Sequence, residues 1–175
     1  MRKYSILIVI LVAACVTLGQ NGAKPAAQQS DAAKAFAALG TFSGSWQGTV
    51  MNIPISGSMR LASSGTVIIH EWTTADGPPD DEITTFYVEG DRLMATHYCD
   101  AGNRVRFEGK MSEDGKSIDF TFLDVNGSEK GGLVKHMRFT LMDPNKQLVE
   151  FTFNMPNGKP IDLKGEFRRT KKARS

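Results

Sequence analysis

From Gly44 to Thr170, apolar and polar side chains alternate with a period of two, interrupted at short intervals by turn residues. The alternation is clearest where Val105 and Phe107 stand against Arg104, Arg106 and Glu108. It recurs with Ile118, Phe120 and Phe122 against Ser117, Asp119 and Thr121, and with Met137, Phe139 and Leu141 against His136, Arg138 and Thr140. Successive side chains of a strand point to opposite faces, so this pattern predicts antiparallel sheet with one apolar and one wet face. Ten strands are expected, over 46–51, 57–62, 66–74, 83–89, 92–99, 104–111, 117–125, 136–142, 148–155 and 161–170. Most junctions are short and carry Gly, Asp, Asn or Pro, the chemistry of hairpin connections. Two Gly- and Pro-rich stretches, 75–81 and 126–132, predict longer loops. Ahead of the sheet, the alanine-rich stretch 31–40 predicts a short helix, with Asp31 as its cap, Gly40 as its stop, and Phe36 and Leu39 on one face.

A long antiparallel meander leaves open edges that invite aggregation, and closure removes them. The reading is therefore all-β: an antiparallel up-and-down β-barrel of about ten strands with a short N-terminal helix. A β-sandwich is the alternative, but the short hairpins leave few places for crossovers between sheets.

The first residues change the picture from fold to location. Arg2 and Lys3 precede an unbroken apolar run over 6–14, which is too short for a membrane span and reads as an export signal over 1–19. Two processing routes are open. Val12-Ala13-Ala14-Cys15 resembles a bacterial lipobox, which would place a lipid on Cys15; alternatively, small residues at Thr17 and Gly19 suit ordinary cleavage before Gln20. Residues 20–30 then form a linker, 31–170 the barrel domain and 171–175 a basic tail. Both routes export the protein to the periplasm, the cell envelope or the medium, and a lipid on Cys15 is the one expected tie to a membrane.

Charge and cysteine usage narrow the partners. The formal net charge is +2, and Arg2 and Lys3 account for it, so the body is neutral and carries no footprint for nucleic acid. Cys15 and Cys99 give no disulfide framework, and Cys99 reads as a small buried hydrophobe. A reactive thiol would need a lowered pKa, and His97, two residues away on the same strand face, is the nearest influence.

Gly44-Ser45-Trp46, at the start of the first strand, resembles the Gly-x-Trp opening signature of lipocalins and the wider calycin group. The longer lipocalin motifs are absent, so the resemblance is to the wider group. It implies a calycin-like barrel in which Trp46 closes one end with a basic residue of the last strand, Arg168 or Arg169, against it. The stretch from Gly90 to Asn103, Gly-Asp-Arg-Leu-Met-x-Thr-His-Tyr-Cys-x-Ala-Gly-Asn, resembles a family of secreted bacterial proteins of unassigned function. That likeness implies export and a lipocalin-like domain, and brings no activity with it.

The candidate site lies on that stretch. With a turn at 100–103, regular pairing sets Tyr98 opposite Val105 and Thr96 opposite Phe107, facing inward. It sets His97 opposite Arg106 and Cys99 opposite Arg104, facing outward. A slip of one residue in the turn exchanges the two faces. Tyr98, His97, Arg106 and Thr96 are the candidate ligand-binding residues, Tyr98 the favoured inward group and Arg106 a fork suited to a carboxylate. His70, His97 and His136 are not spaced as ligands on one element, so neither a metal nor a cofactor is expected. No nucleophile elbow is visible and no catalytic residue is assigned; Asp80-Asp81-Glu82 reads as a solvated acidic run. Three functions follow: a binding module for a small apolar or amphipathic ligand, a structural envelope protein with a barrel filled by side chains, and an enzyme using His97 and Tyr98. The weight falls on binding rather than catalysis.

Overall fold

Ser30 precedes the first helix. Its Oγ accepts a hydrogen bond from Ala33 N (3.2 Å), so Ser30, rather than Asp31, caps helix α1 (Asp31–Gly40). The helix buries Ala32, Ala35 and Leu39 and packs on three neighbouring strands. The computed structural model describes residues 29–74 and 82–172, and for Lys171 and Lys172 only the backbone. The export signal, Cys15, most of the linker, the 75–81 stretch and the end of the basic tail lie outside the described residues.

Ten strands follow: β1 (Gly44–Val50), β2 (Ile53–Ala62), β3 (Val67–Thr74), β4 (Glu82–Glu89), β5 (Arg92–Tyr98), β6 (Asn103–Met111), β7 (Ser117–Gly127), β8 (Leu133–Asp143), β9 (Lys146–Asn154) and β10 (Pro160–Lys172). Each pairs antiparallel with the next, and β1 pairs with β10, so the sheet closes into an up-and-down barrel without edges. This is the all-β, ten-stranded architecture with one short helix that the period of two predicts. The last strand runs on to Lys172, so the basic stretch expected as a tail begins inside the sheet.

The barrel has two unlike poles. At one, β1 begins and β10 ends. There α1 lies on β4, β5 and β6, and the Phe42 ring meets Phe139 edge-on at 6.5 Å. Trp46 Nε1 donates to Phe42 O (2.8 Å), the indole is buried, and the Arg169 guanidinium stacks over it at 4.2 Å. Arg169 also donates to the carbonyls of Thr41, Ser43 and Pro144, tying the last strand to the segment after α1. Arg168 lies on the outer face, exposed, opposite Gln47.

Behind that plug, the lumen is packed with rings. Phe139 is in edge or T-shaped contact with Phe42, His70, Phe86, Phe120 and Phe151, at centroid distances of 5.5–6.5 Å. Such pairings exploit the quadrupole of each ring beyond simple area burial. Small residues make the room: Gly48 faces Phe167 across the β1–β10 pairing, and a Cβ there would lie 2.7 Å from Phe167 Cδ1.

Candidate functional site

At the opposite pole, the rings thin out and a cup of about 230 Å³ remains. Its walls are Val50, Ile55, Trp72, Val134, Phe151, Phe153 and Leu163, and Glu82 and Asp100 stand among the polar residues around it. Glu82 is the first residue of β4 and is partly buried, which corrects the reading of it as part of a solvated run. The Trp72 indole forms one wall, packed edge-on to Phe167 at 4.6 Å and Phe151 at 5.9 Å.

The hairpin between β5 and β6 decides which side chains reach the interior. Cys99 N donates to Asn103 O and Gly102 N donates to Cys99 O, both at 3.0 Å, so the turn closes on three residues, not four. Gly102 adopts φ +81°, the left-handed position that such loops require. Asn103 is thereby drawn into β6, where it is buried and its Nδ2 donates to the carbonyls of Ser128 and Gly132.

That one-residue difference turns every side chain of β5 to the other face. His97 pairs with Val105 and Ala95 with Phe107, inside the barrel; Tyr98 pairs with Arg104 and Thr96 with Arg106, outside it. The expectation of an inward Tyr98 and an outward His97 is therefore overturned. Tyr98 is 43% exposed, while His97 is 1% exposed. Thr96 lies 3.4 Å from the Tyr87 hydroxyl on the outer surface. Arg106 donates through Nε to Asp124 Oδ1 (2.9 Å) and forms a second contact to the same carboxylate, which holds its pKa above the ordinary value. Arg106 therefore offers nothing to a carboxylate in the lumen. Of the four proposed ligand-binding residues, His97 alone faces in.

Inside, a polar row crosses three strands. His70, Thr84 and His97 are register neighbours on β3, β4 and β5, and all three are buried. Trp72 Nε1 donates to His70 Nδ1 (2.7 Å), which fixes that imidazole in its neutral form with the proton on the other nitrogen. Burial, and then the charge of His97, push the His70 pKa down to about 3. Thr84 Oγ1 and His97 Nδ1 lie 2.9 Å apart, and burial pushes the His97 pKa down to about 4 against the opposing pull of Asp100. Both histidines are neutral at pH 7.

Among the described residues, His97 Nε2 has no hydrogen-bond partner. Its nearest acid is Glu82, with Oε2 at 4.0 Å, beyond hydrogen-bond reach. Cys99, buried and free, completes the group: its Sγ lies 3.8 Å from Glu82 Oε1 and 3.4 Å from Asp100 Oδ1. Burial is the main cause that pushes its pKa up to about 12, so the thiol stays protonated, the opposite of an activated nucleophile.

Sequence reasoning missed Glu82, Trp72, His70 and Thr84 as interior residues. The signal for two of them is the parity of β3, where Ile68, His70 and Trp72 share one face. Likewise His97 and Cys99, two apart, had to share a face whichever way that face turned.

No protein-family model matches the chain, and no curated protein does. Among solved structures, the crystal structure of Rv2717c from M. tuberculosis is similar, with a TM-score of 0.55 and 18% sequence identity over 78% of this chain and 97% of that one. At that identity the likeness is one of fold alone, and it is consistent with a calycin-like barrel.

Proposed function

We propose that the protein is an exported binding module that takes a small amphipathic molecule into the cup at the barrel's far pole. The observation that carries the reading is the contrast inside one lumen: a pole sealed by α1 and Trp46, and a cup of about 230 Å³ with aromatic and aliphatic walls. Binding sites are typically concave and apolar with a few placed polar groups. The cup is smaller than the roughly 300–1,000 Å³ of typical ligand pockets, so its occupant is a short chain or a single ring system rather than a long fatty acid. Glu82 and Asp100 beside it suit a hydrogen-bond donor or a cationic head better than a carboxylate. The apolar run over 6–14 and the resemblance of the Gly90–Asn103 stretch to secreted bacterial proteins support export, with Cys15 the residue for a lipid anchor.

A second reading, a structural envelope protein with a filled barrel, draws on the ring packing around Phe139. One titration separates the two. In a Trp46→Phe background, Trp72 is the remaining indole and stands in the cup wall. A small apolar dye at micromolar concentration should change the Trp72 emission in a saturable way, and Val134→Phe, which fills the cup, should abolish that change while the protein stays folded. Absence of binding at any accessible concentration would leave the filled barrel.

A further inference from the structure

We propose that Glu82, His97 and Cys99 form a binding site for a divalent transition metal ion of the zinc class. One ligand atom from each lies within 4.8 Å of the other two. The topology makes the cluster local. His97 and Cys99 are two residues apart on the inward face, and the Ile83–Tyr98 pairing, extended by one step, brings Glu82 opposite Cys99.

The separations approach those of ligands on a shared ion. In a tetrahedral shell with metal–ligand bonds of about 2.0–2.3 Å, neighbouring donor atoms stand roughly 3.3–3.7 Å apart. Here His97 Nε2 to Glu82 Oε2 is 4.0 Å and Cys99 Sγ to Glu82 Oε1 is 3.8 Å. These two contacts run to different oxygens of Glu82, and the three ligand atoms lie within 4.8 Å of one another, so closing on one ion takes a contraction of up to about 1 Å, within reach of side-chain rotation at the partly exposed Glu82.

The independent sign is the buried, unpartnered Nε2 of His97. A buried polar atom without a partner is costly, and coordination would satisfy it. Thr84 Oγ1, 2.9 Å from Nδ1, is placed as the outer partner that orients a ligating imidazole and directs the lone pair of Nε2 toward the cluster. Sulfur with imidazole and one carboxylate selects zinc-like ions over calcium or magnesium. On binding, the Cys99 thiol gives its proton to solvent and a sulfur–metal bond forms, with no change of oxidation state. Three protein ligands leave a fourth position for water, or, where the proposed function holds, for a polar group of the cup's occupant, since Glu82 lines that cup.

Cobalt(II) is the probe, titrated into metal-stripped, reduced, untagged exported protein. One equivalent should produce a thiolate-to-cobalt charge-transfer band in the near ultraviolet. Cys99→Ser should remove the band, and Glu82→Gln, which changes a partly exposed residue and preserves shape, should weaken cobalt binding by about tenfold or more. Matching melting curves of the metal-free variants establish that they are folded. Absence of the band in the wild type, or cobalt binding as strong in Cys99→Ser and Glu82→Gln as in the wild type, would overturn the site. Dye binding in metal-stripped protein is scored separately: intact dye binding without a cobalt band sinks this inference alone, and a cobalt band without dye binding sinks the ligand reading alone.

Discussion

The two poles of this barrel are made from the same repeating strand and differ in what fills them. At the sealed pole, rings and aliphatic chains fill the interior, and Trp46 Nε1 is tied to Phe42 O and Arg169 to three carbonyls, with Ser43 Oγ and Gln147 Oε1 the buried polar atoms left without a partner among the described residues. At the cup pole, Glu82, His97 and Cys99 come within reach of one another, His97 Nε2 has no partner among the described residues, and a cavity remains. Tight packing is how a chain secures its fold, whereas polar and titratable side chains gathered beside an apolar cavity are what a recognition site needs. On the proposed function, the difference gives stability to one end and recognition to the other.

The largest test of that division is at the sealed end. Phe139 touches five rings and is fully buried, so Phe139→Ala should cost about 3–5 kcal/mol in urea unfolding. A loss below about 1 kcal/mol would show that the ring cluster is not the core.

Next comes the polar row between the poles. His70 is neutral in the fold, with a pKa near 3, while in the unfolded chain it titrates near its ordinary 6.5. Between those values the unfolded state binds more protons, so stability falls as the pH drops below about 6.5, by about 1.4 kcal/mol per pH unit from this residue. The contribution is present above the unfolded pKa and is lost progressively down to the folded one. In chelator-treated protein, His70→Asn should flatten the acid limb of a stability–pH curve by about that slope. An unchanged limb would mean that His70 is not buried as a neutral base.

A smaller effect is expected where the sealed pole meets solvent. Arg169→Ala removes the stack on Trp46 and the three carbonyl contacts, but the guanidinium is partly exposed, so about 1 kcal/mol is expected, with Trp46 emission shifting to the red. A change in dye binding in the cup would contradict the separation of the poles.

How much of this was legible in the chain follows the same division. The strands, their closure and α1 follow from the period of two and from turn chemistry, which are local properties. The Gly-x-Trp opening resembled a group in which a basic residue backs the tryptophan, and Arg169 is the residue over Trp46 here. The cup was not legible, because its membership depends on register. Counting the turn after Cys99 as four residues instead of three placed Tyr98 inside and His97 outside. Glu82 was hidden for another reason. It follows Asp80-Asp81, and an acidic triplet after a Pro- and Gly-rich stretch gives no sign that its last member begins a strand.

The smallest stability effect sharpens the comparison most. Tyr98 and Arg106 lie on the outer face, Tyr98 half exposed and Arg106 held by Asp124, so neither touches the cup. Tyr98→Leu and Arg106→Leu should therefore leave the affinity of an apolar dye unchanged within about twofold. Phe153 is half-buried and lines the cup, away from the ring cluster around Phe139. Phe153→Ala should leave the fold intact and weaken the dye by about tenfold, the loss expected for one aromatic contact of about 1.4 kcal/mol. The ordering of the variants carries the weight, since all three sites are partly exposed and none belongs to the buried core. If Tyr98→Leu weakened the dye more than Phe153→Ala did, the dye would be binding the outer surface, and recognition would have to be moved from the cup to the wall of the barrel.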